Sequence, residues 1–194
     1  MKNINELKNI EDFVANKGTN EYTFVALKPS HTDLLTAEIV MRLLTENGYE
    51  VVYAAPAIYT KENVQIHYKE IFDKFMADPN GKFSFYKDLE EYLTRGPIFG
   101  FVIKGKNAVK GVKSICGATR DPEPGSMRFE TFKKHGKPYD INENGIHASG
   151  EINEAQREIA NFISASLVFP KDNHKLDHIK NFVENYSSTE QNER

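Results

Sequence analysis

The stretch Asn144-Gly145-Ile146-His147-Ala148-Ser149 sets one histidine in a short apolar run, with a hydroxyl two residues on. A carboxylate, Glu158, follows eleven residues after the histidine, at the far end of an amphipathic segment. A nucleophilic histidine has to meet its substrate, keep one tautomer and be oriented by a second group. Ser149 and Glu158 are residue types that can orient it. The competing reading is a surface or satisfied core histidine, and local spacing leaves both open.

Charge is distributed locally rather than globally. The 194 residues carry a net charge of -3, which argues against a general nucleic-acid or anionic-membrane surface. Basic residues nonetheless gather in and beside one stretch, Gly117 to Gly145: Lys110, Lys113, Arg120, Arg128, Lys133, Lys134 and Lys137. Either this is a solvated loop or it is a phosphate-binding lid. Lys28 leaves the end of an apolar strand just before Pro29, where open sheets place ligand-contacting residues. Apolar residues make up 39% and charged residues 27%, the balance of a globular chain able to bury a core. The single cysteine, Cys116, excludes an intrachain disulfide and any multi-cysteine zinc site. The first twenty residues hold no apolar leader and no run reaches membrane-spanning length, so a cytoplasmic protein is expected.

The elements that must position these groups can be read in order. Residues 1–20 read as an extension, 21–170 as the main domain and 171–194 as a tail, partly helical and then disordered from Ser187. Tyr22 to Leu27 reads as a central strand. Thr32 or Asp33 caps a helix closed by Asn47-Gly48. Tyr49 to Ile58 is a strand whose Pro56 argues for an edge. One helix is expected over Lys61–Ala77 and another over Phe83–Leu93, on either side of the turn Asp78-Pro79-Asn80-Gly81. Ile98 to Ile103 is a strand, Lys106 to Ile115 a helix, and Gly117 to Gly145 irregular. A short strand holds Ile146 and His147, Asn153 caps a helix to Ile163, and Ser166 to Phe169 reads as a last strand. His174 and His178 stand four apart, without a third ligand that would make a metal site. The order suits an α+β fold, a ferredoxin-like βαββαβ sandwich whose four-stranded antiparallel sheet is covered by helices on one face.

Seven pieces occur in one order: Thr23 to Pro29, His67-Tyr68, Arg95 to Ile98, Gly117-Ala118-Thr119, Pro124 to Arg128, Asn144 to Ser149, and Ala155 to Ile159. Together they resemble the nucleoside diphosphate kinase family over about Tyr22 to Phe162. The resemblance implies a ping-pong transfer of the γ-phosphate of a nucleoside triphosphate to a histidine and then to a nucleoside diphosphate, with Mg2+ accompanying the nucleotide. By matching motifs, His147 looks like the nucleophile, Glu158 like its orienting carboxylate and Ser149 like that carboxylate's assistant. Lys28, Tyr68, Thr119, Arg128 and Asn144 match positions around the phosphates and ribose. Lys113 stands where the family usually has arginine. Phe85 looks like the aromatic under the base, with Phe83 as its rival. The family's members associate, so a homo-oligomer is expected.

The chain departs from the pattern at Ser30-His31, where Asp-Gly is usual, and at Gly150, where aspartate is common. Lysine at 113 keeps a charge but loses arginine's two-pronged fork, which predicts weaker phosphate binding. Two apparent insertions fall between Tyr68 and Phe85 and between Arg128 and Asn144. An alternative reading is a nucleotide-binding or scaffold module of the same fold without turnover. A complete nucleophile set argues against it. A Walker-type or dinucleotide-binding enzyme fails for want of a glycine-rich loop after a strand.

Overall fold

A computed structural model describes residues 20–135 and 143–192. Lys137 and most of the expected N-terminal extension lie outside the described residues. Four strands, β1 (Asn20–Leu27), β2 (Glu50–Ala57), β3 (Ile98–Lys106) and β4 (Ile146–Ala148), form one sheet in the order β2-β3-β1-β4. Every neighbouring pair is antiparallel. The sheet is the ferredoxin-like arrangement expected, with β1 central and the Pro56-bearing β2 at an edge. Among the described residues no helix is long and apolar enough to cross a membrane.

Strand periodicity explains why the sheet has two cores. Val25, Leu27, Phe99, Phe101 and Ile103 face one cluster, while Phe24, Ala26, Ile98 and Val102 face the other. Helices therefore cover both faces, not one. The first face is packed by α1 (Leu34–Glu46), α5 (Ala108–Cys116) and α8 (Asp177–Asn192). The second is packed by α2 (Lys61–His67), α4 (Tyr86–Thr94) and α7 (Ile152–Leu167). The one-face expectation fails because β1 and β3 are apolar on both sides, and both sides must be shielded from water. Gly100 in β3 lets Phe162 of α7 lie against the sheet: a Cβ there would stand 2.4 Å from the Phe162 ring.

Several expected boundaries move. The single helix over Lys61–Ala77 is two, α2 and α3 (Lys69–Ala77), broken at Tyr68, whose ψ is 37°. The Arg157 guanidinium bonds the Ile66 carbonyl at 2.9 Å beside the break. The Gly117–Gly145 stretch holds a helix, α6 (Met127–His135), started where Ser126 Oγ accepts from the Phe129 amide at 3.3 Å. Its buried Met127 and Phe132 supply the apolar contact that the surrounding polar residues conceal. Ser166 to Phe169 is not a strand. Ser166 and Leu167 finish α7, with Ser166 Oγ bonded to the Ile163 carbonyl at 2.8 Å. That helix begins at Ile152 with Glu151, rather than Asn153, as its cap. The tail helix α8 runs past Ser187 to Asn192, where composition alone predicts disorder. Ile179 and Val183 on α8 are fully buried with α1, which supplies the burial that a polar sequence lacks by itself. His174 bonds Asp177 at 2.7 Å.

Candidate active site

The site forms where β4 passes the end of β1. Ile146 and Ala148 point into the first core, so strand alternation turns His147 to the opposite face. There it meets α2 and α7. Register holds it firmly: Ala26 pairs with His147, Lys28 N–H donates to the Gly145 carbonyl at 2.8 Å, and Ser149 N–H donates to the Phe24 carbonyl at 3.1 Å. Gly145 has φ +70° with His31 beside it, and a Cβ would stand 2.6 Å from the His31 ring. A glycine is required there for both reasons.

His147 Nε2 lies 2.8 Å from Glu158 Oε2. Ser149 Oγ donates to the same oxygen at 2.6 Å. Both Ser149 and Glu158 are buried. With the Nε2 proton given to the carboxylate, Nδ1 keeps its lone pair, and the Tyr68 hydroxyl meets Nδ1 at 3.3 Å. Burial and the Lys113, Lys28 and Arg128 charges hold the His147 imidazole well below its ordinary pKa, so it is neutral and nucleophilic near pH 7. Burial pushes the Glu158 carboxyl above the usual range, while His67, Ser149, Arg157 and Lys113 pull it back. Burial and the nearby Glu158 charge raise Tyr68 above its ordinary value, so it stays a donor.

Cations surround the open side of the imidazole, and their bonds go to neutral oxygens. Lys28 Nζ donates to Asn144 Oδ1 at 2.9 Å. Lys113 Nζ donates to the Ala148 carbonyl at 2.7 Å. Arg128 donates to the Ile146 carbonyl at 2.8 and 3.1 Å, to the Gly117 carbonyl at 2.6 Å and to Thr119 Oγ1 at 3.3 Å. Burial and the Arg128 charge lower Lys28 to about 7. Such a cluster favours a multiply charged anion.

A cavity of about 520 Å³ opens over this cluster. Lys28, Tyr68, Phe85, Lys113, Thr119, Arg128, Asn144, His147 and Glu158 all line it, and Ser149 supports it from behind. Phe85 is 37% exposed on the cavity wall, whereas Phe83 packs against the core and under Lys74. Sequence reasoning missed Ile71 and Leu89 on the walls, named Arg120 there only as one of the basic stretch, and left His67, which also lines the cavity, as a motif member without a role. Gly150, where the family commonly has aspartate, donates its amide to Glu154 Oε2 at 3.0 Å.

Among the described residues, one group could offer three ligands to a metal: His67, His147 and Glu158, with ligand atoms within 4.8 Å of one another. Two imidazoles and one carboxylate do not suit magnesium, which prefers oxygen donors and keeps its waters.

The chain is similar to known proteins of one family. The family model for nucleoside diphosphate kinase matches residues 21–168. A nucleoside diphosphate kinase of Archaeoglobus fulgidus is 33% identical over 147 residues, covering 74% of this chain and 87% of that protein. Nucleoside diphosphate kinase 3 of Mus musculus is 30% identical over 148 residues, covering 75% and 79%. The structure of a Halobacterium salinarum nucleoside diphosphate kinase in complex with CDP superposes with a TM-score of 0.59 at 29% identity, covering 79% of this chain and 95% of that one. With the family model spanning residues 21–168 and with them the whole lining of the His147 cavity, the chain belongs to the nucleoside diphosphate kinase family.

Proposed function

We propose that this protein moves the γ-phosphate of a nucleoside triphosphate to a nucleoside diphosphate by a ping-pong route through phosphohistidine at His147 Nδ1. The observation that carries the reading is the divided imidazole: Nε2 is tied to Glu158 at 2.8 Å, and Nδ1 faces a cavity ringed by Lys28, Lys113 and Arg128. The Nδ1 lone pair attacks the γ-phosphorus, the bond from that phosphorus to the β–γ bridging oxygen breaks, and the diphosphate leaves. An oxygen of the incoming diphosphate's terminal phosphate then attacks the same phosphorus, the P–N bond breaks and the imidazole returns. The Nε2 proton stays on the Glu158 side throughout, so charge developing on the ring is met by a carboxylate already in place.

Lys28, Arg128 and Lys113 hold the phosphate oxygens, and Thr119 and Asn144 add neutral contacts. Tyr68 donates to Nδ1 in the free protein and yields to the phosphoryl group. Phe85 presents a ring face to the base, which accepts any base because every base stacks. Magnesium enters as part of the substrate, on the phosphates, because the cations around Nδ1 offer it no carboxylate cage. The protein acts on cytoplasmic nucleotide pools as a homo-oligomer. Exposed apolar residues at the ends of α7, Ile152, Leu167 and Val168, support association.

Incubation with γ-labelled triphosphate and magnesium tests the reading. Acid-labile, base-stable label that chases onto added diphosphate, and that His147→Ala lacks, is the expected result. Nucleotide binding without label would transfer the chain to the binding-module reading.

A further inference from the structure

Behind the carboxylate lies a second layer that the phosphoryl-transfer reading leaves without a role. Asn161 of α7 and Asn63 of α2 exchange bonds: Asn63 Nδ2 donates to Asn161 Oδ1 at 2.9 Å, and Asn161 Nδ2 donates to the Asn63 carbonyl at 3.0 Å. Asn161 acts on the Tyr59 hydroxyl in the direction that lowers a phenol's pKa, against the larger effect of burial. Burial keeps Tyr59 protonated, so its hydroxyl has a proton to donate, and its partner is His67 Nδ1 at 3.3 Å. His67 Nε2 lies 3.9 Å from Glu158 Oε1, the oxygen that neither His147 nor Ser149 uses. The His67 and His147 rings meet edge to face, with centroids 4.4 Å apart. Tyr59, His67 and Glu158 are all buried.

We infer that Tyr59, oriented by Asn161, locks His67 as its Nε2–H tautomer, and that His67 is thereby a positioning residue that turns an N–H toward Glu158 and keeps that carboxylate charged and aligned on His147. The tautomer decides the sign of the contact. An Nε2–H edge presents a positive dipole to Oε1, while the other tautomer presents a lone pair to it and disfavours the carboxylate form. Burial lowers His67 to about 3, so the ring is neutral at working pH and acts through its dipole. The titratable and charged groups facing this pair are Tyr59, Tyr68, His147, Arg157, Lys28 and Lys113. They remain in every variant below except where Tyr59 itself is changed.

The inference rests on the phosphohistidine reading for its kinetic consequence but not for its structural one. Long-range 1H–15N correlation spectra of the intact protein are expected to show His67 protonated at Nε2. A ring protonated at Nδ1 would overturn the lock whether or not the enzyme turns over, and label on His147 separately tests the parent reading. Tyr59→Phe is expected to move the acid limb of the kcat profile upward by about one pH unit, which is about tenfold in kcat below the wild-type limb, with KM unchanged. An unmoved limb in a folded Tyr59→Phe protein would refute the role. His67→Gln, which keeps a donor near Nε2, is expected to retain the wild-type limb, while His67→Leu shifts it. Equal losses in both would reduce His67 to packing and defeat the proposal.

Discussion

Glu158 Oε2 stands 2.8 Å from Nε2 of His147, on the opposite side of the ring from Nδ1, which meets the Tyr68 hydroxyl at 3.3 Å. Replacement of Glu158 by glutamine keeps the shape but removes the charge. A fall in kcat on the order of 10²-fold is expected, with a smaller change in KM. Stopped-flow measurement of His147 phosphorylation checks it, and a wild-type rate would show that the carboxylate does not serve the nucleophile.

Ser149 lowers the Glu158 pKa by donating at 2.6 Å. Ser149→Ala therefore lets the carboxyl rise further. Protonated Glu158 no longer accepts from His147, so activity is lost at a higher pH than in the wild type as pH falls. A kcat profile from pH 5 to 8 should show the limb moved upward, with the neutral plateau reduced only severalfold.

Lys28 is lowered to about 7, chiefly by burial and then by Arg128. Phosphate oxygens favour the ammonium form, so a bound nucleotide raises this pKa and binding takes up a proton above pH 7. Affinity for a diphosphate should fall as pH rises from 7 to 9, approaching tenfold per unit. Calorimetry in buffers of different ionisation enthalpy reads the uptake directly. Lys28→Arg should abolish it, since arginine stays charged across this range.

Gly145→Ala combines positive φ with a Cβ 2.6 Å from the His31 ring. A loss of about 2–3 kcal/mol is expected, together with reduced kcat because the same backbone carries His147. Thermal denaturation measures the first effect. Adding His31→Ala should recover the steric part and leave the conformational part.

Removal of α8 by truncation after Phe169 strips Leu176, Ile179 and Val183 from the first core. The exposed face should cost more than about 4 kcal/mol and leave a poorly soluble product. A truncated chain with wild-type melting would show that the tail contributes no stability.

The candidate groups were legible in the sequence because their spacing is local. His147 between two apolar residues, Ser149 two positions on and Glu158 across one helix are set by strand and helix periodicities that any chain obeys. Lys28 before a proline was legible for the same reason, and the apolar runs of β1 and β3 required a central sheet. What the sequence could not decide is what distant segments do to one another. The division of the His147 ring depends on Glu158 reaching one nitrogen and Tyr68 the other. Tyr68 gets there only because the helix expected over Lys61–Ala77 breaks, a break Arg157 helps to satisfy from another helix. α6 and α8 look polar residue by residue, and they become helices because burial of a few side chains, Met127 and Phe132 in one and Ile179 and Val183 in the other, outweighs weak propensity. Sequence by itself determined which groups are present and which face each takes. Tertiary structure decided how far apart they stand and which proton each one holds, because hydrogen-bond partners and desolvation are properties of the packed neighbourhood and not of the chain.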